Sequence, residues 1–123
     1  MDHYTVKEYT TGEAIKEGDL VTVVGGVLLM ADAVTEKPVG IATEAAISGA
    51  KCSVQVDGVY NYARTDGSGT TIAPGDMLSP SATDGVMVAH AGTATHVYAA
   101  QSLEDSAAAT DRTAVKICAA IPA

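Results

Sequence analysis

The sequence contains no tryptophan, no phenylalanine and only two cysteines in 123 residues. Aromatics make up 4%, all of them tyrosine, so a core has to come from Val, Ile, Leu, Met and Ala. That composition suits a small, thin barrel better than a thick sandwich. Cys52 and Cys118 are too few and too far apart for a disulfide framework or a zinc site built from closely spaced pairs. They read as buried thiols of a chain made in a reducing cytoplasm, with a bridge between them as the other reading. Basic residues are also scarce: 7 against 15 acidic ones give a net charge of −8, which leaves no Lys/Arg face for nucleic acid. No stretch approaches the ~20 apolar residues of a membrane-spanning helix. The start, Met1-Asp2-His3-Tyr4, has none of the basic and apolar character of a secretory leader.

The chain is rich in short β-forming runs punctuated by glycine. Residues 1–12 carry β-formers without the apolar density of a core strand, and read as an extended N-terminal arm. Residues 13–123 read as one β domain whose halves run from about 13 to 60 and from about 72 to 123. Within the first half, Leu20–Val24 and Val27–Met30 flank Gly25-Gly26, the pattern of a tight hairpin. In Lys51–Asp57, Cys52, Val54 and Val56 alternate with Lys51, Ser53, Gln55 and Asp57, which predicts a strand with one face buried and the other wet.

The second half echoes the first. Pro74-Gly75-Asp76-Met77-Leu78 repeats Glu17-Gly18-Asp19-Leu20-Val21, and Asp84 to Ala89 repeats Gly25 to Ala31. His96 to Ala100 stands for Val39 to Thr43, and Thr113 to Cys118 for Lys51 to Val56. Two copies are too few for a solenoid. They predict two similar β units closing on a shared core, with Tyr60–Arg64 and the glycine-rich loop Thr65–Thr70 between them. The stretch Ser102–Arg112 reads as holding a helical turn, so the predicted class is mostly β with short helical segments.

Chemistry is sparse. His3, His90 and His96 do not pair at ligand spacing, so neither a metal nor a cofactor is predicted. There is no nucleophile elbow and no phosphate-binding Gly-Lys loop. Asp19 and Asp76 occupy matching places, as the two acids of a catalytic dyad would. An Asp that follows Gly in a tight turn, however, accepts hydrogen bonds from nearby backbone N–H groups. Gly18, Asp19, Gly75 and Asp76 are therefore read as structural turns, and no catalytic residue is identified.

The stretch from Ile15 to Tyr60 (Ile-Lys-Glu-Gly-Asp-Leu-Val, Gly-Gly-Val, Pro-Val-Gly-Ile-Ala-Thr-Glu-Ala, Val-Gln-Val-Asp-Gly-Val-Tyr) resembles the head decoration, or capsid cement, proteins of tailed bacteriophages. So does its sequel from Ile72 to Val86. The resemblance implies a β-tulip-like domain, assembled as a homotrimer on the outer surface of the virion. Its partner would be the major capsid protein, and its task to stabilise the expanded head without enzymatic activity. It also implies that the N-terminal arm, with Tyr4, Val6 and Tyr9, adds to a capsid strand.

Two other readings stand beside it. A biotinyl or lipoyl carrier needs a lysine at a hairpin tip, and Lys37 and Lys51 are poorly placed for that. A glycan- or receptor-binding domain would stack sugar on exposed aromatics, for which Tyr60, Tyr62 and Tyr98 are the candidates.

Overall fold

The structure, a computed structural model, describes residues 4–33, 35–91 and 97–122, with side chains as far as Ile117. Ten strands fall into two five-stranded sheets. The first holds β1 (Val6–Thr10), β2 (Leu20–Val24), β3 (Val27–Met30), β4 (Gly40–Ala42) and β5 (Lys51–Gln55), in the order β1-β5-β4-β2-β3. The second holds β6 (Gly58–Thr65), β7 (Met77–Pro80), β8 (Met87–Ala89), β9 (Val97–Ser102) and β10 (Asp111–Pro122), paired as β10-β6-β8-β7-β9 with β9 returning to β10.

The two orders are the same order. Replacing β1 to β5 by β6 to β10 turns one sheet into the other, down to single bonds. A parallel bridge joins Thr11 to Leu28 in the first unit and Thr65 to Met87 in the second. An antiparallel bridge joins Ile15 to Ala46, and its counterpart joins Ile72 to Ser106. Glu44 accepts the Ser53 N–H at 2.9 Å, and Glu104 accepts the Ala114 N–H at 2.6 Å. These bonds set the register of the repeat. Ser53 matches Ala114, one position off the sequence pairing, and Gly40 matches Ala100 rather than Val97. The repeat also reaches further than its glycine punctuation shows. β1 is the counterpart of β6, so residues 6–10 are an edge strand of the first unit and Tyr60–Arg64 are a strand of the second.

No helix occurs among the described residues, which corrects the expectation of short helical segments. In Ser102–Arg112 the bonds that would close a helical turn are used elsewhere. Leu103 donates to Ala114, Ser106 exchanges backbone bonds with Ile72, and Asp111 accepts the N–H groups of Ala107 and Ala108. The Gly25-Gly26 hairpin is present, with φ of 60° and 84° at the two glycines, the positive values of a primed turn.

Two cores result. Ile15, Val21, Leu28, Ala42, Cys52 and Val54 fill the first unit. The second core combines Leu20, Ala31 and Ile41 of the first unit with Ile72, Leu78, Met87 and Val115 of the second. Strands β2 and β4 serve both, because neighbouring residues point to opposite faces: Leu20 and Ile41 to one core, Val21 and Ala42 to the other. The same double coverage explains Gln55. The alternation in β5 predicts it wet, yet it is buried, with its amide donating to the carbonyls of Asp57 at 2.9 Å and Val59 at 2.8 Å. Cys52 is a free, buried thiol, while the Cys118 side chain lies outside the described residues.

The two Gly-Asp turns are alike in build and unlike in burial, and of the two it is the Gly18-Asp19 turn that bonds across the seam between the units. Gly18 and Gly75 have φ of 89° and 94°. Asp19 accepts the Lys16 N–H at 2.8 Å, and Asp76 accepts the Ala73 N–H at 2.9 Å. Asp76 stays half-exposed, whereas Asp19 is 0% exposed and takes a second bond, 2.5 Å long, from the Arg64 guanidinium. Gly85 closes over it. A Cβ at Gly85 would meet the Asp19 carboxylate at 2.5 Å, and its backbone donates to Ala31 and accepts from Leu20.

Asp19→Ala removes the carboxylate that the Arg64 guanidinium and the Lys16 N–H bond to, leaving Arg64 only the long bond to the Asp84 carbonyl at 3.4 Å, and is expected to lower the unfolding free energy by about 3 kcal/mol. Asp76→Ala removes the same turn bond near solvent and should cost about 1 kcal/mol. Urea denaturation of the two variants measures the difference, and equal losses would contradict the seam's role.

Candidate functional site

The N-terminal residues singled out by the sequence separate into three environments. β1 pairs antiparallel with β5 from Val6·Gln55 to Thr10·Lys51. The Val56 N–H donates to the Thr5 carbonyl and the Thr11 N–H to the Ala50 carbonyl, so the odd-numbered residues of β1 spend their backbone groups on β5. The N–H and C=O groups of Val6 and Glu8 therefore point the other way, along the outer edge of the sheet. Val6 is 45% exposed on this edge. Tyr9 packs against the first core, and Tyr4 lies outside the strand, 59% exposed.

Tyr4 borders a cleft of about 510 Å³ at the junction of the two units. Its other walls include Glu17, Gln55, Tyr60, Asn61 and Tyr62. Tyr4, ahead of β1, and Gln55, at the end of β5, line it from the first unit, and Val59 to Tyr62 of β6 line it from the second. The Arg112 guanidinium lies 4.5 Å from the centre of the Tyr62 ring while donating to the Glu17 carbonyl at 2.6 Å. That contact holds the ring and ties the second unit to the first turn. Tyr60 is half-buried, and its pKa is pushed up to about 12, first by burial and then by the negative charge of Glu17.

Tyr98, the third aromatic proposed from sequence for sugar stacking, is elsewhere. Its ring meets His90 edge-on, with centroids 4.5 Å apart. His90 Nδ1 lies 2.7 Å from the Ser79 hydroxyl, but Ser79 is buried in the second unit. His3 and His96 fall outside the described residues. Among the described residues, no three His, Cys, Asp or Glu side chains gather as metal ligands would. Lys51 is exposed at the start of β5, bonded to the Thr10 hydroxyl at 3.0 Å, and Lys37 precedes β4, so neither occupies the tip of a hairpin. The carboxylates of Glu44 and Asp111 are held below the usual range by hydrogen bonds, from Ser53 in one case and from Ala108, Ala107 and Ser106 in the other. Their bonds brace loops within the units.

What the surface offers is thus an open strand edge on a braced two-sheet body, with an aromatic cleft beside it. The profile of the phage cement proteins matches residues 1–117, and the chain belongs to that family. Its fold is similar to that of the head fiber gp8.5 N base of bacteriophage phi29, with a TM-score of 0.67 at 13% identity, covering 98% of this chain and 100% of that one. No curated protein matches the chain. Membership of the phage cement family makes this a structural protein of the phage head. Glycine and acidic spacing pointed to the turns. The sequence singled out Tyr60 and Tyr62 as aromatics for stacking and Tyr4 in the arm, but not that they share one cleft, because Tyr4 is brought to β6 by the pairing of β1 with β5.

Tyr60 supplies a pH test. A group whose acidity is weakened by folding stabilises the fold below its unfolded value, near 10, and that contribution is lost as pH rises toward about 12. Ultraviolet titration of tyrosinate absorbance should show one late-ionising residue that disappears in Tyr60→Phe. Ionisation of every tyrosine near 10 would contradict the assignment.

Proposed function

We propose that the protein is a non-enzymatic cement that binds the outer surface of the expanded phage head as a homotrimer, through the free edge of β1, and stabilises the shell. The observation that carries this is the run of backbone groups at Val6 and Glu8 that face away from β5, along the outer margin of the first sheet. Edge strands with open N–H and C=O groups attract further strands, and soluble proteins seldom leave one uncovered without a use. A strand of the major capsid protein laid along β1 would extend the first sheet, with the exposed Val6 side chain contributing at the contact and Tyr4 beside it. Tyr9 would act from behind, holding β1 on its core.

Binding only the expanded lattice draws the shell toward that state by mass action. Three such edges on a β-tulip-type trimer would add avidity without a new kind of contact. The net charge of −8 suits a surface directed away from packaged DNA. The carrier reading has no observation in its favour, since neither lysine suited to it stands at a hairpin tip.

Because only the even residues face outward, the edge can be blocked without opening the sheet. Glu8→Pro removes an outward N–H and leaves the β1–β5 ladder in place, whereas Tyr9→Pro breaks that ladder. Glu8→Pro is expected to keep the wild-type circular dichroism spectrum and melting behaviour and to fail to co-sediment with undecorated expanded heads. Glu8→Ala should still pellet with them, since the main chain makes the contact. Full occupancy by Glu8→Pro would overturn the proposal.

A further inference from the structure

Three of the chain's five tyrosines border the cleft at the junction of the two units, together with Glu17 and Asn61. The hydroxyls of Tyr4, Tyr60 and Tyr62, the Asn61 amide and the Glu17 carboxylate have no hydrogen-bond partner among the described residues. Polar groups left open around aromatic walls are suited to a ligand that is apolar on one face and rich in hydroxyls at its rim.

We propose that this cleft is a binding site for a neutral oligosaccharide. Arg112 occupies one side of the Tyr62 ring and fixes its orientation, which leaves the opposite side as a platform for the C–H face of a pyranose. Asn61 both donates and accepts, Glu17 accepts, and the tyrosine hydroxyls do either, so the set matches sugar hydroxyls, which also do both. Glu17 and the net charge of −8 disfavour sialylated or phosphorylated glycans. An apolar peptide would bury the open polar groups without partners and is disfavoured for that reason. A volume of about 510 Å³ lies within the range of small-molecule binding clefts. A cement protein with such a site would give the head a weak, many-copy grip on glycan surfaces, since every copy adds to the avidity.

This site lies beside the β1 edge and is tested without heads, so its outcome is independent of the capsid proposal. Purified full-length protein is titrated with cellotetraose, maltotetraose, triacetylchitotriose and a sialylated trisaccharide, read by saturation-transfer NMR and by tyrosine fluorescence. At least one neutral probe should bind with a dissociation constant of about 1 mM or tighter, and the sialylated one should not. Tyr62→Ala and Asn61→Ala, both at exposed positions, should each weaken binding about tenfold or more while keeping the wild-type spectrum. Absence of transfer from all three neutral probes would overturn the proposal, as would undiminished binding in the Tyr62→Ala, Asn61→Ala double variant. It would likewise fall if the cleft proved to seat a second copy, seen as self-association that Tyr62→Ala abolishes while no neutral sugar binds.

Discussion

One buried carboxylate, Asp19, touches both halves of this fold. It holds its own turn through the Lys16 N–H, receives Arg64 from the second unit, and is capped by Gly85 from the second unit's longer hairpin loop. A carboxylate taken out of water is tolerated only when its oxygens are bonded, so the two units have to meet in one relative position for Asp19 to be satisfied. Around that point the Leu20–Gly85, Gly85–Ala31 and Arg64–Gly18 backbone bonds join the sheets. The shared core of Leu20, Ile41, Leu78 and Met87 supplies the burial. The carboxylate sets the geometry, and the apolar side chains supply most of the stability.

Duplication followed by divergence accounts for the asymmetry. In the first unit the glycines equivalent to the second hairpin tip, Gly25 and Gly26, make a free turn with no atom within 4 Å of either added Cβ. In the second unit the same turn is longer and is pressed onto Asp19. The residue equivalent to Arg64 in the first unit is Thr10, which has no comparable reach. Thus the second copy gained a clamp, and the first kept an uncovered edge at β1. Rigidity and an open edge in one small body favour adhesion, because a preformed strand loses little freedom when another pairs with it.

Much of this was legible in the residues. Alternation placed Cys52 and Val54 inside, Gly25-Gly26 marked the hairpin, and the matched Gly-Asp turns revealed a repeat. Two properties were not. The β1–β6 equivalence is invisible because Val6–Thr10 and Gly58–Thr65 share neither glycine punctuation nor apolar pattern, and only their partners, β5 and β10, relate them. The burial of Gln55 and the convergence of Tyr4, Tyr60 and Tyr62 depend on contacts between the two units, which no local pattern encodes. The helical turn expected in Ser102–Arg112 was lost for a similar reason, since Ile72 and Ala114 claim its backbone groups across the sheet.

Amide hydrogen exchange, compared between free protein and protein bound to expanded heads, tests the central claim most directly. The Leu20, Arg64 and Gly85 amides at the seam should exchange slowly in both, opening only with the whole fold. The Val6 and Glu8 amides should exchange fast in the free protein and become protected on heads. Rapid exchange at the seam, or Val6 and Glu8 amides unchanged by head binding, would contradict a rigid double-sheet body that docks by its first strand.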